Sequence, residues 1–166
     1  MRLATLALAA ALVPVAARAQ LAPRSLALEV GISDDSAAAL GSRAPVGLIA
    51  SWWLGGDLDA LARLSWASAA RTEGRATYEA GLGLRYQLAR WGSLRPHLAL
   101  ELAAVGVTSG PGWISDTGLR LGMGAGVEAL LGPDLFLAVI AGGSEVLRPG
   151  GGGLGGCAAL RAGAYF

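Results

Sequence analysis

The chain has 166 residues, 54% hydrophobic and 15% charged, with a mean hydropathy of +0.52 and a net charge of +1. That length suits one domain, and so small a charge excludes the basic field by which proteins gather nucleic acid. The single cysteine, Cys157, excludes an internal disulfide and a cysteine-type metal site. All thirteen basic side chains are arginine; arginine suits cations held by several fixed hydrogen bonds in confined space, although biased codon usage accounts equally for the missing lysines.

Residues 1–19 read as an address. A cationic start, Met1-Arg2, leads into Leu, Ala and Val up to Val13, and Pro14 breaks the run. Ala17 and Ala19 then supply the small residues of an A-x-A cleavage site, leaving Gln20 first. The apolar run is shorter than the roughly 18–20 residues that span a bilayer as a helix. The expected organisation is a signal peptide, 1–19, and one β domain, 20–166.

From there the hydrophobic pattern has a period of two, which is the strand signature. SLALEVGI sets Leu26, Leu28, Val30 and Ile32 against Glu29; a candidate strand follows near 45–54, and LDALARLSWA sets Leu64 and Trp66 against Asp59 and Arg63. ATYEAGLGLRYQL, 76–88, is the clearest, with Tyr78, Leu82, Leu84, Tyr86 and Leu88 opposite Glu79 and Arg85. LRPHLALELAA opposes Leu98, Leu100 and Leu102 to Arg95, His97 and Glu101, and GLRLGMGAGVEAL opposes Leu119, Leu121, Met123 and Val127 to Arg120 and Glu128. DLFLAVIAG, 134–142, is apolar on both faces, so its parity stays open. CAALRAGAYF closes the series, with Ala158, Leu160, Ala162, Ala164 and Phe166 opposite Arg161.

That makes eight strands, of a length suited to tilted strands crossing a bilayer. The connections LGGD, ARWGS and LGPD are short. They alternate with the long SDDSAAALGSRA, SAARTEGR, GVTSGPGWISD and GSEVLRPGGGGLGG, within which RPGGGGLGG reads as a flexible loop tip. Short turns on one side and long loops on the other predict an all-β, eight-stranded antiparallel up-and-down transmembrane barrel, with both termini on the short-turn, periplasmic side.

A soluble lipocalin-type barrel alternates too, with its aliphatic face inward. Here the polar face is mostly Gly and Ala with one or two charges per strand, too sparse for a solvated surface and suited to a narrow interior. The aromatics Trp52, Trp53, Tyr86, Trp91, Phe136, Tyr165 and Phe166 fall near the expected periplasmic ends, as an interfacial girdle does. These patterns resemble the small eight-stranded outer-membrane proteins, such as the OmpA transmembrane domain and OmpX. The resemblance implies an outer-membrane location in a Gram-negative-type cell, with membrane lipid and lipopolysaccharide as neighbours. It also implies a C-terminal signal, here Ala158, Leu160, Ala162, Ala164 and Phe166, read by the barrel-assembly machinery.

The expected lumen then holds Glu29, Asp59, Arg63, Glu79, Arg85, Arg95, His97, Glu101, Arg120, Glu128 and Arg161. The near balance of sign points to mutual pairing, because an unpaired buried charge is costly. Glu29 faces Arg161 across the closing strands, and Glu101 lies within reach of Arg85 and Arg120. Such a network either fills and stabilises the barrel or, by exchanging partners, gates a narrow solute or ion pore. A third alternative is a lipid A-modifying enzyme, but nucleophilic catalysis needs a Ser, a base and an acid together, and the one histidine, His97, lies low on the inner face. Asp34, Asp35 and Asp116 fall in outer loops without EF-hand spacing. No cofactor, metal or catalytic residue is expected. The leading expectation is a monomeric barrel with a structural or surface-interaction role, its lumen plugged by charge and four loops presented outside. Trp113 and the glycine-rich fourth loop are candidate contact points.

Overall fold

In the computed structural model the described residues are 24–35, 41–68, 75–109, 114–149 and 151–166. The signal segment with Ala17 and Ala19, and Trp113, lie outside them. Nine strand segments follow in order: β1 (Ser25–Asp35), β2 (Gly41–Arg43), β3 (Val46–Gly55), β4 (Leu58–Ser68), β5 (Arg75–Gln87), β6 (Leu94–Ser109), β7 (Ile114–Leu130), β8 (Leu135–Arg148) and β9 (Gly151–Tyr165). β2 and β3 both pair with β1, one above the other. They form a single barrel strand interrupted at Ala44-Pro45, where proline removes a backbone donor.

Every pairing is antiparallel between chain neighbours, and β9 returns to β1 from Ser25↔Tyr165 to Asp34↔Gly156. The sheet is therefore a closed, eight-stranded, up-and-down barrel. Closure leaves no free edge, which is the condition for β structure in lipid. Paired residues followed round from Ser25 run through Ser51, Leu61, Gly83, Glu101, Gly122 and Ser144 to Gly155. Gly155 lies one step beyond the Asp34–Gly156 pair, opposite Asp35. The stagger is thus about ten residues, and such a stagger tilts the strands about 35–45° to the axis.

The alternation of the sequence becomes two faces. Leu28, Ile32, Leu64, Leu82, Met123 and Leu160 stand exposed on the outer wall, Met123 at 70%. A water-facing wall of that kind would be a large liability, whereas a lipid-facing one is what a spanning barrel requires. The inner face carries Glu29, Asp59, Glu79, Arg85, His97, Arg120, Glu128 and Arg161, all buried. β8 resolves the undecided parity: Phe136, Ala138 and Ile140 are buried inside, while Leu135, Leu137 and Val139 are exposed outside.

Two expectations about element ends are corrected. The long connections contribute strand: β8 runs to Arg148 and β9 begins at Gly151, so most of GSEVLRPGGGGLGG is a paired hairpin rather than a flexible loop tip. Glycine reads as a loop in sequence, but here neighbouring backbone needs the missing Cβ. At Gly152 a Cβ would meet the Val146 carbonyl at 2.7 Å. The first long connection likewise supplies β2 and the end of β1.

Candidate functional site: the charged lumen

The inner-face side chains pair in three tiers. In the tier nearest the short turns, Arg85 bridges two carboxylates. Its Nη2 donates to Asp59 Oδ2 at 2.7 Å and its Nη1 to Glu128 Oε2 at 3.1 Å. Asp59 also accepts from Arg24 at 3.1 Å, and Glu128 accepts the Tyr165 hydroxyl at 2.6 Å. Arg95 lies 3.8 Å from Glu128. The guanidiniums of Arg24 and Arg95 lie over the Tyr165 ring, 5.3 and 5.6 Å from its centre, within cation–π range.

The middle tier centres on Glu29. Arg161 Nε donates to its Oε2 at 2.6 Å, and Arg63 Nη2 sits 2.7 Å from Oε1. Arg63 also reaches Glu101 at 3.2 Å and Glu79 at 3.5 Å, which ties this tier to the one above. There, Arg120 spans Glu79 at 3.0 Å and Asp35 at 2.6 Å. Arg43 joins Asp35, Glu79 and Thr77. Carboxylates thus alternate with guanidiniums, so that buried charges stand beside opposite ones.

Apolar side chains fill the lumen between the charged tiers: on β4, Leu61 stands between Asp59 and Arg63. Ala27, Ile49, Leu61, Phe136 and Ala138 cluster towards the turn side, with Tyr165 packed against them. Val105, Val107 and Val146 cluster towards the loop side. A cavity of about 70 Å³ is lined by Glu29, Arg63, Glu101, Arg120 and Arg161 together with Gly122, Gly124, Gly142 and Cys157. Cys157 shares the inner-face register of Ser33, yet is exposed.

All eleven lumen residues expected from sequence lie on the inner face. Glu29 and Arg161 stand directly opposite each other and are ion-paired. The partners expected for Glu101 are corrected: it pairs with Arg63, because Arg85 is engaged by Asp59 and Glu128 and Arg120 by Asp35 and Glu79. Three members were missed, among them Arg24, which pairs with Asp59 at the turn side. Asp35 and Arg43 are buried partners in the lumen rather than loop charges. Asp35 continues the parity of Glu29, so extending the first alternation by three more steps finds it. Asp116, at the loop side, pairs with Arg148.

The aromatic girdle is corrected at two positions, Phe136 and Tyr165. Phe136, 3% exposed, and Tyr165 point into the lumen with ring centres 5.0 Å apart. Tyr165 shares the parity of Arg161 and pairs with buried Ser25, so it could not also share the face of Phe166. Trp53 has the inner-face register of Asp59 at the turn-side mouth, where its indole donates to the Gly56 carbonyl at 3.0 Å. Tyr86, Trp91 and Phe166 are exposed at the turn end, and Trp52 is half-buried there. Ala158, Leu160, Ala162 and Ala164 share the outer parity of Phe166.

His97 is 2% exposed. Its Nδ1 lies 3.3 Å from the Arg95 carbonyl, and its Nε2 has no partner among the described residues. Arg85, Arg161 and Glu128 are its charged surroundings. Among the described residues no serine hydroxyl bonds to the ring, whereas the base of a hydrolytic triad takes its proton from one.

A closed barrel of eight tilted strands with an apolar outer wall and an ion-paired interior has the fold of the small outer-membrane β-barrels. Solved structures of that kind are similar to this chain throughout. Neisserial surface protein A is 16% identical, covering 86% of this chain and 95% of its own, at a TM-score of 0.68. The N-terminal β-barrel domain of Pseudomonas aeruginosa OprF is 19% identical, covering 90% and 100%, at 0.55. The outer membrane enzyme PagL is 15% identical, covering 86% and 99%, at 0.53. No protein-family model matches the chain, and no curated protein matches it.

Proposed function

We propose that the chain is an exported outer-membrane protein that works as a monomeric structural and surface-presenting barrel with a non-conducting lumen. The observation that carries this reading is the three-tier ion-pair network. Its carboxylates and guanidiniums occupy an interior only just wide enough for side chains, and two apolar clusters fill space beside them. On this reading residues 1–19 direct export, the barrel-assembly machinery inserts the chain, lipid and lipopolysaccharide surround it, and the long connections face outward. PagL is an enzyme on the same fold; in this chain the only imidazole is sequestered among arginines in the lumen, which favours a barrel without catalysis.

A second reading, a narrow ion or solute pore, is favoured by one feature: the cavity beside Cys157, where a wall of glycines leaves space next to the network. Current recorded across planar bilayers separates the two. The purified barrel is expected to leave the membrane silent, and discrete conductance steps that recur with the wild-type chain would establish the pore instead.

A further inference from the structure

The outer wall carries a feature that the lumen does not explain. An oblique apolar groove of about 610 Å³ crosses β3 to β7 towards the long-loop end. Trp66 and Tyr78, a cross-strand pair, form one bank, continued by Val46 opposite Trp66. Ile114 forms the other bank and folds over Gly106, where an added Cβ would sit 3.2 Å from the Ile114 Cδ1. The floor is Ala80 opposite Ala104. Between these larger side chains the two alanines leave a recess.

We propose that this groove seats one acyl chain of an outer-leaflet lipid. The proposal rests on the membrane-barrel reading and makes it specific. The groove is continuous with the lipid-facing wall, so hydrocarbon is the material that meets it. Its lining is apolar, as a chain requires. It lies at the long-loop end, which places it in the outer leaflet. Trp66 and Tyr78 lie near the loop-side ends of β4 and β5 and are exposed; such rings favour the headgroup level, so a chain entering beside them would run down the groove into the hydrocarbon. Filling the recess with one chain restores the contacts that its lining otherwise lacks.

The test is NMR on the whole barrel, methyl-labelled at Ala and Ile, in nanodiscs of dimyristoylphosphatidylcholine. Ala125 and Ala141, paired and exposed on the far wall, are the controls. Lipid-chain cross-peaks are expected to be stronger at Ala80, Ala104 and Ile114 than at the controls, and to be lost at Ala80 and Ile114 in Ala104→Phe, which fills the floor. Equal intensity on both walls would overturn the groove while leaving the barrel intact. Protein–protein cross-peaks at Ile114 would overturn it in favour of a second copy as occupant. Absence of lipid contacts on every wall would instead count against the membrane reading itself. Should Ala104→Phe fail to fold, the comparison of the two walls in the native chain decides alone.

Discussion

Arg85 is the residue on which the lower lumen turns. It holds two carboxylates, Asp59 and Glu128, each 1% exposed, on one planar guanidinium. Arginine is fitted to this because its donors lie in a fixed fork. Arg85→Met keeps much of the side-chain volume but leaves Glu128 with Tyr165 and a distant Arg95, and Asp59 with half-exposed Arg24. Urea titration of the barrel in detergent micelles is expected to show a loss of about 3–5 kcal/mol, the usual result of breaking a buried pair. The composition, arginine without lysine, hinted at such forks. What it could not give was the pairing. Parity assigns a residue to the inner face, but which carboxylate an arginine reaches depends on the stagger of the strands. That is why Glu29–Arg161, on adjoining strands at one register, was legible, and Glu101–Arg63, two strands apart, was not.

At the scale of the element, β9 shows how closely the inner face is fitted. Gly163 faces the lumen between Ala27 and Phe136, where an added Cβ would lie 2.6 Å from Phe136 Cζ and 2.8 Å from Ala27 Cβ. Gly163→Ala is therefore expected to push Phe136 from its seat and destabilise by about 1–3 kcal/mol, the range for overpacking. Ala162→Gly on the outer face should change little beyond its intrinsic strand preference. Urea midpoints of the two variants compare them directly. Strand existence and facing were readable wherever a charge marked the polar side. They were unreadable in β8, whose first half is apolar on both faces because its inward side chains are Phe136, Ala138 and Ile140. The same ambiguity sent Phe136 and Tyr165 to the girdle in the sequence reading: an aromatic near a strand end fits either an interface or the lumen. Strand ends were underestimated where glycine, usually a loop residue, serves packing between strands instead.

For the whole molecule, the interior and exterior have exchanged their usual roles. The exposed wall is aliphatic, and the buried space is ionic with two apolar clusters set among the charges. Such a molecule keeps its fold when lipid or detergent covers the wall, because every strand edge is closed by the β1–β9 pairing. The class of architecture was legible from alternation and from the short and long connections. The lumen's chemistry was legible only in outline, since it is made by contacts across the barrel. Gel electrophoresis of the detergent-solubilised protein, with and without boiling, tests the central claim most directly. The intact barrel is expected in the membrane fraction and to change mobility only after boiling. A protein recovered in the soluble fraction, with one mobility regardless of heating, would contradict it.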